Sequence, residues 1–185
     1  RPDLPEYRYT VWVDTLYHVP VFYARLAHLL ADDAWIDKAV EEWHSHWNLL
    51  TDPRGPFLAH SWDTGMHRPH GYGWGRGSGW ALYGMIETLE HIPQSYAGRS
   101  ALVADTQSFA QALLSVQDHT GYWHTLLHDR ESYLETSTAS FFAAAFRRGM
   151  RTGILGPEFA EATDCAWRAT LGRLDDRGEL WGVSA

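Results

Sequence analysis

Asp14 is the first candidate for chemistry, because it is a single carboxylate set among aromatic side chains. It lies in residues 11–17, with Trp12 two residues before it and Tyr17 three residues after it. Desolvation by such rings raises the pKa of a carboxyl group, whereas a following helix N-terminus lowers it. If desolvation dominates, Asp14 is suited to general acid and base catalysis near neutral pH. The alternative is an ordinary N-cap of the next helix, and spacing alone favours that alternative.

A second concentration of reactive or binding side chains lies in residues 59–80. Glycines at 73, 75, 77 and 79 alternate with larger residues, among them Trp74, Arg76 and Trp80. The two indole rings offer stacking surfaces for a sugar ring. The guanidinium of Arg76 offers a fork of donors that matches a carboxylate. This pattern indicates a subsite for an acidic sugar, and a flexible loop that caps the next helix is the alternative.

His60 lies in the same connector, and we expect it to hydrogen-bond a substrate. The metal-binding patterns HEXXH and paired CxxC are absent from the sequence, so no metal site is expected. The single Cys165 has no activating context, and no GxSxG motif is present. The alternating glycines follow no predicted strand, which argues against a nucleotide loop. We therefore expect neither a metal site nor a nucleotide-binding loop.

Composition narrows the classes of partner. The net charge is −8 and no basic stripe is present, so nucleic acid is not an expected ligand. An anionic sugar would be attracted by a few local cations and not by the whole surface. No apolar run is long enough to span a membrane. The 10 Trp and 9 Tyr residues fit a Trp-rich core and carbohydrate binding equally well.

Apolar side chains recur every three or four residues through most of the chain, which predicts helices. These helices must therefore position the candidate residues. The first, third and fifth predicted helices are apolar nearly all round, whereas the second and sixth carry charges on one face. Such a pattern predicts buried inner helices alternating with peripheral outer ones. No segment alternates convincingly with period two, so no strand is predicted. The predicted helices cover residues 16–30, 34–50, 77–91, 99–118, 134–150 and 157–174.

The connectors between helices repeat as well. Gly55, Gly121 and Gly178 lie in similar turns that are 66 and 57 residues apart. Repeats of this length predict stacked helical hairpins. Three hairpins do not close a ring, so we expect residues 1–185 to form one partial domain, half of an α/α toroid. The start at Arg1 also suggests a cut chain.

This topology places the candidate residues on one rim. The long connectors 51–76 and 119–133 both lead from an outer helix to the next inner helix, and Asp14 also precedes an inner helix. All three regions should therefore meet at the N-terminal ends of the inner helices. The partial positive charge and free N–H groups of helix N-termini suit an anionic ligand.

Several motifs give the chain a resemblance to a known enzyme family. They are WVDTLY at 12–17, HSWD at 60–63, WGRGSGW at 74–80, DHTGYW at 118–123 and SYLETS at 132–137. In this order they resemble the unsaturated rhamnogalacturonyl hydrolases of glycoside hydrolase family 105, which are related to the unsaturated glucuronyl hydrolases of family 88. The resemblance extends from about residue 9 to residue 181.

The resemblance implies an all-α fold, the (α/α)6 toroid, of which this chain is the C-terminal half with about three hairpins. It implies release of unsaturated uronic acid from lyase-generated oligosaccharides by hydration of a C4=C5 vinyl ether, without metal or organic cofactor. The family's catalytic acid and base matches Asp14. Its substrate-binding residues match His60, Trp74, Arg76 and Trp80.

The chain also departs from the family pattern. A second important Asp of the family belongs to the N-terminal half, so the chain alone is expected to be inactive and to need that half as its partner. His18 stands where the family more often has an apolar residue. Another six-hairpin enzyme, such as an inverting glycosidase or an epimerase, and a non-catalytic sugar-binding fragment are the alternatives. Imported anionic oligosaccharides as substrates suggest a cytoplasmic location, with a periplasmic or secreted one as the alternative.

Overall fold

The structure is a computed structural model that describes residues 9–184. Three consecutive helical hairpins make up most of this part of the chain. The helices are α1 Thr15–Leu30, α2 Ala34–Leu50, α3 Gly75–His91, α4 Arg99–Leu114, α5 Thr136–Arg151 and α6 Ala160–Leu171, the last preceded by a 3-10 turn, Pro157–Phe159. The strands are β1 Thr10–Trp12, β2 Ala59–Asp63, β3 Arg68–Tyr72, β4 Trp123–His124 and β5 Leu134–Glu135. None of the helices described is both long and apolar enough to cross a membrane.

Helices α1, α3 and α5 form an inner row. Helix α3 packs against α1 on one side and α5 on the other, while α2, α4 and α6 each pack on the inner helix that precedes them. Leu82, Met85, Ile86 and Leu89 of α3 are completely buried. The predicted alternation of inner and outer helices is confirmed, because a helix with neighbours on both sides is apolar nearly all round.

The two end hairpins expose large apolar side chains. In α1, Leu29 is 78% exposed, and Phe22 and Leu30 are also exposed. In α6, Trp167 is 55% exposed, and Leu171 is exposed as well. Neighbouring hairpins would cover such flanks in a closed ring. The described residues therefore form an open arc of three hairpins, as expected for half of a six-hairpin toroid.

The prediction that the chain has no strands is wrong. Strands β1, β2 and β3 form an antiparallel sheet in which Trp62 pairs with Val11 on one side and with Pro69 on the other. The strands have three to five residues, and β3 contains Pro69 and Gly71. Both residue types are unfavourable in strands. Periodicity misses these strands because pairing, and not intrinsic preference, stabilises them.

Two helix boundaries differ from the prediction for identifiable reasons. Helix α4 ends at Leu114, and Asp118 instead accepts a hydrogen bond from the Thr120 N–H in a turn. Helix α5 begins at Thr136, because the preceding Glu135 is paired in strand β5 with β4. The other predicted helix ends lie within three residues of the observed ones.

Tryptophan contributes to the core of the molecule. Trp43 and Trp123 are completely buried. The ring of Trp123 meets Phe142 edge-on, with 4.9 Å between ring centres, and its Nε1–H donates to the Leu113 carbonyl at 2.7 Å. Trp123, which is buried and has its N–H group paired in this way, is a packing element. The high Trp content is therefore explained in part by the core.

An ion-pair network centred on the buried Glu87 joins the three inner helices. Glu87 of α3 is almost inaccessible and pairs with Arg25 of α1 and with Arg148 of α5, the last at 3.0 Å. Arg148 also binds Glu90 through Nε at 2.6 Å and donates to the Tyr83 hydroxyl at 2.9 Å. Hydrogen bonds from Arg148 hold the pKa of the Glu90 carboxyl below its usual value, against the effect of burial. The network fixes the inner helices relative to one another.

We expect Arg148→Met to lower the free energy of unfolding by about 1–3 kcal/mol, because Glu87 and Glu90 both lose hydrogen bonds from Arg148 while Arg25 still pairs with Glu87. Urea denaturation measures the loss. Arg151→Met is the control, since Arg151 is 72% exposed and lies 3.9 Å from Glu90. A surface pair of this kind contributes about 0–1 kcal/mol. Equal losses in the two variants would contradict a structural role for the network.

Candidate active site

The three-stranded sheet brings Asp14 and His60 together at the rim. Strand β1 ends two residues before Asp14, and β2 contains His60. The Val13 N–H donates to the His60 carbonyl at 2.9 Å. His60 Nε2 then lies 3.8 Å from Asp14 Oδ2, with both side chains partly exposed. Backbone pairing therefore sets the separation of the carboxylate and the imidazole.

Asp14 occupies the N-cap position of α1, but its side chain makes no capping hydrogen bond. Its main-chain carbonyl accepts from the Tyr17 N–H at 3.0 Å. An N-cap Asp normally uses its carboxylate to accept an N–H from the first turn. The cap position predicted as an alternative is thus confirmed, while the usual capping contact is absent. The carboxylate remains available to His60 and to the solvent side of the rim.

The His60 ring lies between two indoles. Its centre is 4.8 Å from that of Trp12 and 4.2 Å from that of Trp74. The guanidinium carbon of Arg76 lies 4.7 Å from the Trp74 ring centre, a cation–π contact. Burial lowers the pKa of the His60 imidazole; the Asp14 carboxylate opposes this effect, and Arg76 adds to it. With its pKa below the ordinary value, the imidazole is neutral at neutral pH.

The alternating glycines are packed and not flexible. Gly75, Gly77 and Gly79 are buried in the first turns of α3. A Cβ atom on Gly77 would lie 2.7 Å from a ring carbon of Trp74 and 2.8 Å from a methyl group of Val13. Gly77 therefore lets the Trp74 ring and Val13, the residue after β1, approach the helix backbone. The structure contradicts the flexible-loop alternative.

Trp80 borders a cleft between the inner helices. Its ring centre lies 5.1 Å from that of Tyr17 in α1 and 4.5 Å from that of Phe141 in α5. Tyr17 follows Asp14 by three residues, and Trp80 follows Arg76 by four, so each pair shares one helix face. The cleft has a volume of about 390 Å³. Its lining also includes Tyr83, Ser137 and Ser140.

The structure groups the predicted site residues as follows. Asp14, His60, Trp74 and Arg76 form a contiguous cluster on the rim. Trp80 lies one helical turn further along α3, at the cleft. Within residues 9–184, His, Cys, Asp and Glu side chains form no group of three or more that could hold a metal ion.

Several residues of this region were not among the predicted site residues. Tyr83 follows Trp80 by three residues, so helical spacing would have placed it on the same face. Phe141 comes from a different helix, and no local pattern places it against Trp80. His18, which departs from the family pattern, lies 5.6 Å from the Trp80 ring centre. Glu135 belongs to one of the recognised motifs, but its burial becomes evident only in the fold.

Comparison with known proteins decides the family. Residues 5–185 match the sequence profile of Glycosyl Hydrolase Family 88. The chain belongs to this family. Among curated proteins, this family 88 chain is 29% identical over 175 residues to the unsaturated rhamnogalacturonyl hydrolase YesR of Bacillus subtilis (strain 168). The match covers 94% of this chain and 49% of that protein.

Solved structures share the fold. A possible member of the GH105 family from Klebsiella pneumoniae subsp. pneumoniae MGH 78578 is 28% identical with a TM-score of 0.87, covering 96% of this chain and 47% of that one. The unsaturated glucuronyl hydrolase of Bacillus sp. GL1 is 16% identical with a TM-score of 0.75, covering 98% and 53%, a similarity of fold alone. The chain thus spans about half the length of these relatives. The predicted resemblance and six-hairpin architecture are confirmed.

We expect Gly77→Ala to destabilise the protein by about 1–3 kcal/mol, because the new methyl group overlaps Trp74 and Val13. This sign is opposite to the intrinsic preference of helices for Ala over Gly. Gly172→Ala is the control, since a Cβ atom there would lie 3.5 Å from its nearest neighbour. Thermal unfolding measures both. A Gly77→Ala protein as stable as the parent would show that the close packing is unimportant.

Proposed function

We propose that this chain supplies the catalytic rim of an enzyme that releases unsaturated uronic acid from lyase-generated oligosaccharides. The observation that carries the proposal is the position of Asp14. Its carboxylate makes no capping bond and lies beside His60. The His60 ring in turn contacts Trp74, and Arg76 lies over the Trp74 ring. A proton-transferring carboxyl group, stacking rings and a cation are the groups that an unsaturated uronate requires. The name of YesR, an unsaturated rhamnogalacturonyl hydrolase, supports this substrate class.

In the proposed reaction, Asp14 acts as both acid and base. Its protonated form transfers a proton to C4 of the C4=C5 double bond, and positive charge develops at C5 and the ring oxygen. Water then adds at C5 and gives a proton to the Asp14 carboxylate, which restores the acid. The resulting hemiketal opens to a ketone at C5. The hemiacetal left at C1 breaks down to an aldehyde and releases the neighbouring sugar.

Substrate binding is assigned to the groups around Asp14. Arg76 binds the uronate carboxylate through its forked donors. Trp74 and Trp80 stack against sugar rings. His60, neutral because its pKa is lowered by burial, can donate one hydrogen bond to a hydroxyl group without adding a charge. Local attraction by Arg76 is needed because the chain has a net charge of −8.

We further propose that residues 1–185 are one partial toroid domain completed by an N-terminal half. The exposed flanks of α1 and α6 support this, because apolar surfaces of this kind mark contact sites. The half-length match to the relatives agrees with it. On this proposal the 185 residues alone have little or no activity.

The proposed partner is an anionic oligosaccharide, with neither nucleic acid nor a membrane as a binding partner. Oligosaccharides left by lyases are small enough to be imported, so we place the reaction in the cytoplasm, with the periplasm or the exterior as the alternative. Cell fractionation of the native host tests the location.

An assay that compares an unsaturated uronyl oligosaccharide with its saturated analogue distinguishes the proposed reaction from the alternatives. Hydration removes the ultraviolet absorbance of the unsaturated uronate, so absorbance should fall while the neighbouring sugar is released. An inverting glycosidase would instead cleave the saturated analogue, using two carboxylates about 6.5–9.5 Å apart. Binding without turnover, with the ring complete, would favour a sugar-binding module.

We expect Asp14→Asn, in the natural protein that contains this chain, to reduce turnover about 100- to 10,000-fold because the proton donor is lost. Substrate affinity should be largely retained. Asp33→Asn is a matched control, since Asp33 is also an N-cap without a side-chain capping bond. Initial rates measure turnover. Similar rates for Asp14→Asn and the parent would remove Asp14 from its catalytic role.

We expect Arg76→Ala to weaken binding of the unsaturated uronate about 10- to 100-fold, because charge-assisted hydrogen bonds are lost. Calorimetric titration measures the affinity. Arg54→Ala is the control, since Arg54 also lies over an aromatic ring, Tyr72 at 4.6 Å, but is paired with Asp52. If both variants bind as tightly as the parent, Arg76 does not bind the carboxylate.

A further inference from the structure

The segment that follows α6 returns across the rim and contacts Arg76. Residues 180–184, here named the strap, run past the N-terminus of α5. The Gly182 carbonyl accepts a hydrogen bond from the Thr136 N–H at 2.9 Å. The Ser184 N–H donates to Glu135 Oε1 at 2.8 Å, and the Ser184 carbonyl accepts from Arg76 Nη1 at 2.8 Å. The strap therefore connects Glu135 to Arg76 through the main chain of one residue.

Glu135 makes more contacts than a helix cap requires. Its side chain is completely buried. It accepts from the N–H and hydroxyl groups of both Ser137 and Thr138, which cap α5. The bond from Ser184 is additional to this cap. Burial raises the pKa of the Glu135 carboxyl, but hydrogen bonds from Thr138, Ser184 and Ser137 together outweigh burial and lower it. The group is thus a fixed, buried carboxylate at neutral pH.

The guanidinium of Arg76 is held on two sides. Trp74 supports its face at 4.7 Å, and the Ser184 carbonyl takes one N–H. A guanidinium has five N–H donors, so this bond leaves others for a ligand carboxylate. A fixed donor loses less side-chain entropy when a ligand binds than a mobile one does.

We propose that Glu135 is a positioning residue for Arg76, acting through the strap. Glu135 holds the Ser184 main chain, and Ser184 in turn orients the guanidinium toward the uronate carboxylate. The proposal rests on the proposed function, in which Arg76 binds that carboxylate. Glu135 does not contact substrate itself, because it is fully buried and carries the same charge as the ligand.

Gly182 provides a way to displace the strap without touching Glu135 or Arg76. It has a φ of +75°, and a Cβ atom there would lie 2.8 Å from Thr136 Oγ1. Gly182→Ala therefore strains the backbone and pushes the strap away from α5. Gly178 is the matched control, because it has a φ of +81° in the same segment but no atom within 4 Å of its Cβ position.

The experiment uses the natural protein that contains this chain, with Asp14→Asn present to prevent turnover. Calorimetric titration compares an unsaturated uronyl disaccharide with its uronate methyl ester. We expect Gly182→Ala and Glu135→Gln each to weaken binding of the acid about tenfold, because the cation is misplaced. Binding of the neutral ester should be unchanged. Gly178→Ala should bind both ligands like the Asp14→Asn background.

Combining Gly182→Ala with Arg76→Ala tests two claims separately. One is that Arg76 binds the uronate carboxylate, and the other is that Glu135 positions Arg76 through the strap. If Arg76→Ala weakens binding of the acid and Gly182→Ala adds no further loss on top of it, the strap acts through Arg76. If Arg76→Ala weakens binding but Gly182→Ala and Glu135→Gln do not, positioning by Glu135 is refuted while the carboxylate clamp stands. If Arg76→Ala itself has no effect, the clamp fails.

Comparing the acid with its methyl ester also distinguishes positioning of Arg76 from a purely structural role of Glu135 and the strap. A variant that loosens the whole rim would weaken binding of acid and ester equally, and that result overturns the proposal. Circular dichroism checks the fold of each variant. If Glu135→Gln does not fold because the α5 cap is lost, Gly182→Ala, which leaves the cap intact, decides the outcome.

Discussion

The antiparallel pairing of β1 with β2 is the interaction on which the site depends. It joins two short segments that are about 50 residues apart in the chain, Thr10–Trp12 and Ala59–Asp63. The bond between Val13 and the His60 carbonyl extends this pairing to the start of α1. Asp14 and His60 are thereby held by the same backbone pairing, although Asp14 lies just before α1 and His60 lies in β2. A site built on such paired backbone holds its geometry more precisely than one built on free loops.

Further backbone contacts extend this frame around the rim. The Gly75 N–H donates to the Thr125 carbonyl at 2.9 Å, and the Leu127 N–H donates to the Gly73 carbonyl at 2.8 Å. These bonds tie the connector before α3 to the connector before α5. The cation near the site is held in the same manner, by a main-chain carbonyl of the strap. The inner helices provide rigid supports below, and the rim is a set of short backbone pairings above them.

The helices and their shared rim could be predicted from the sequence, whereas the contacts between distant segments could not. Helical periodicity predicted the row of inner and outer helices, and topology predicted a shared rim, because both follow from local patterns repeated along the chain. The glycines at 75, 77 and 79 were open to a loop interpretation, since glycine is a poor helix former. Their close packing against Thr138, Trp74 and Phe141, respectively, overrides that preference. Contacts between distant segments had no local signal. Arg76 and Ser184, for example, are 108 residues apart.

The buried Gly79 has a consequence for redesign of the cleft. A Cβ atom at this position would lie 2.5 Å from the Cβ of Phe141, so α3 and α5 are already in contact there. The cleft can therefore be enlarged by shortening the Phe141 side chain. A side chain cannot be added at position 79 unless α5 moves away from α3. Variants intended to enlarge this cleft should therefore shorten side chains of α5 and leave Gly79 of α3 unchanged.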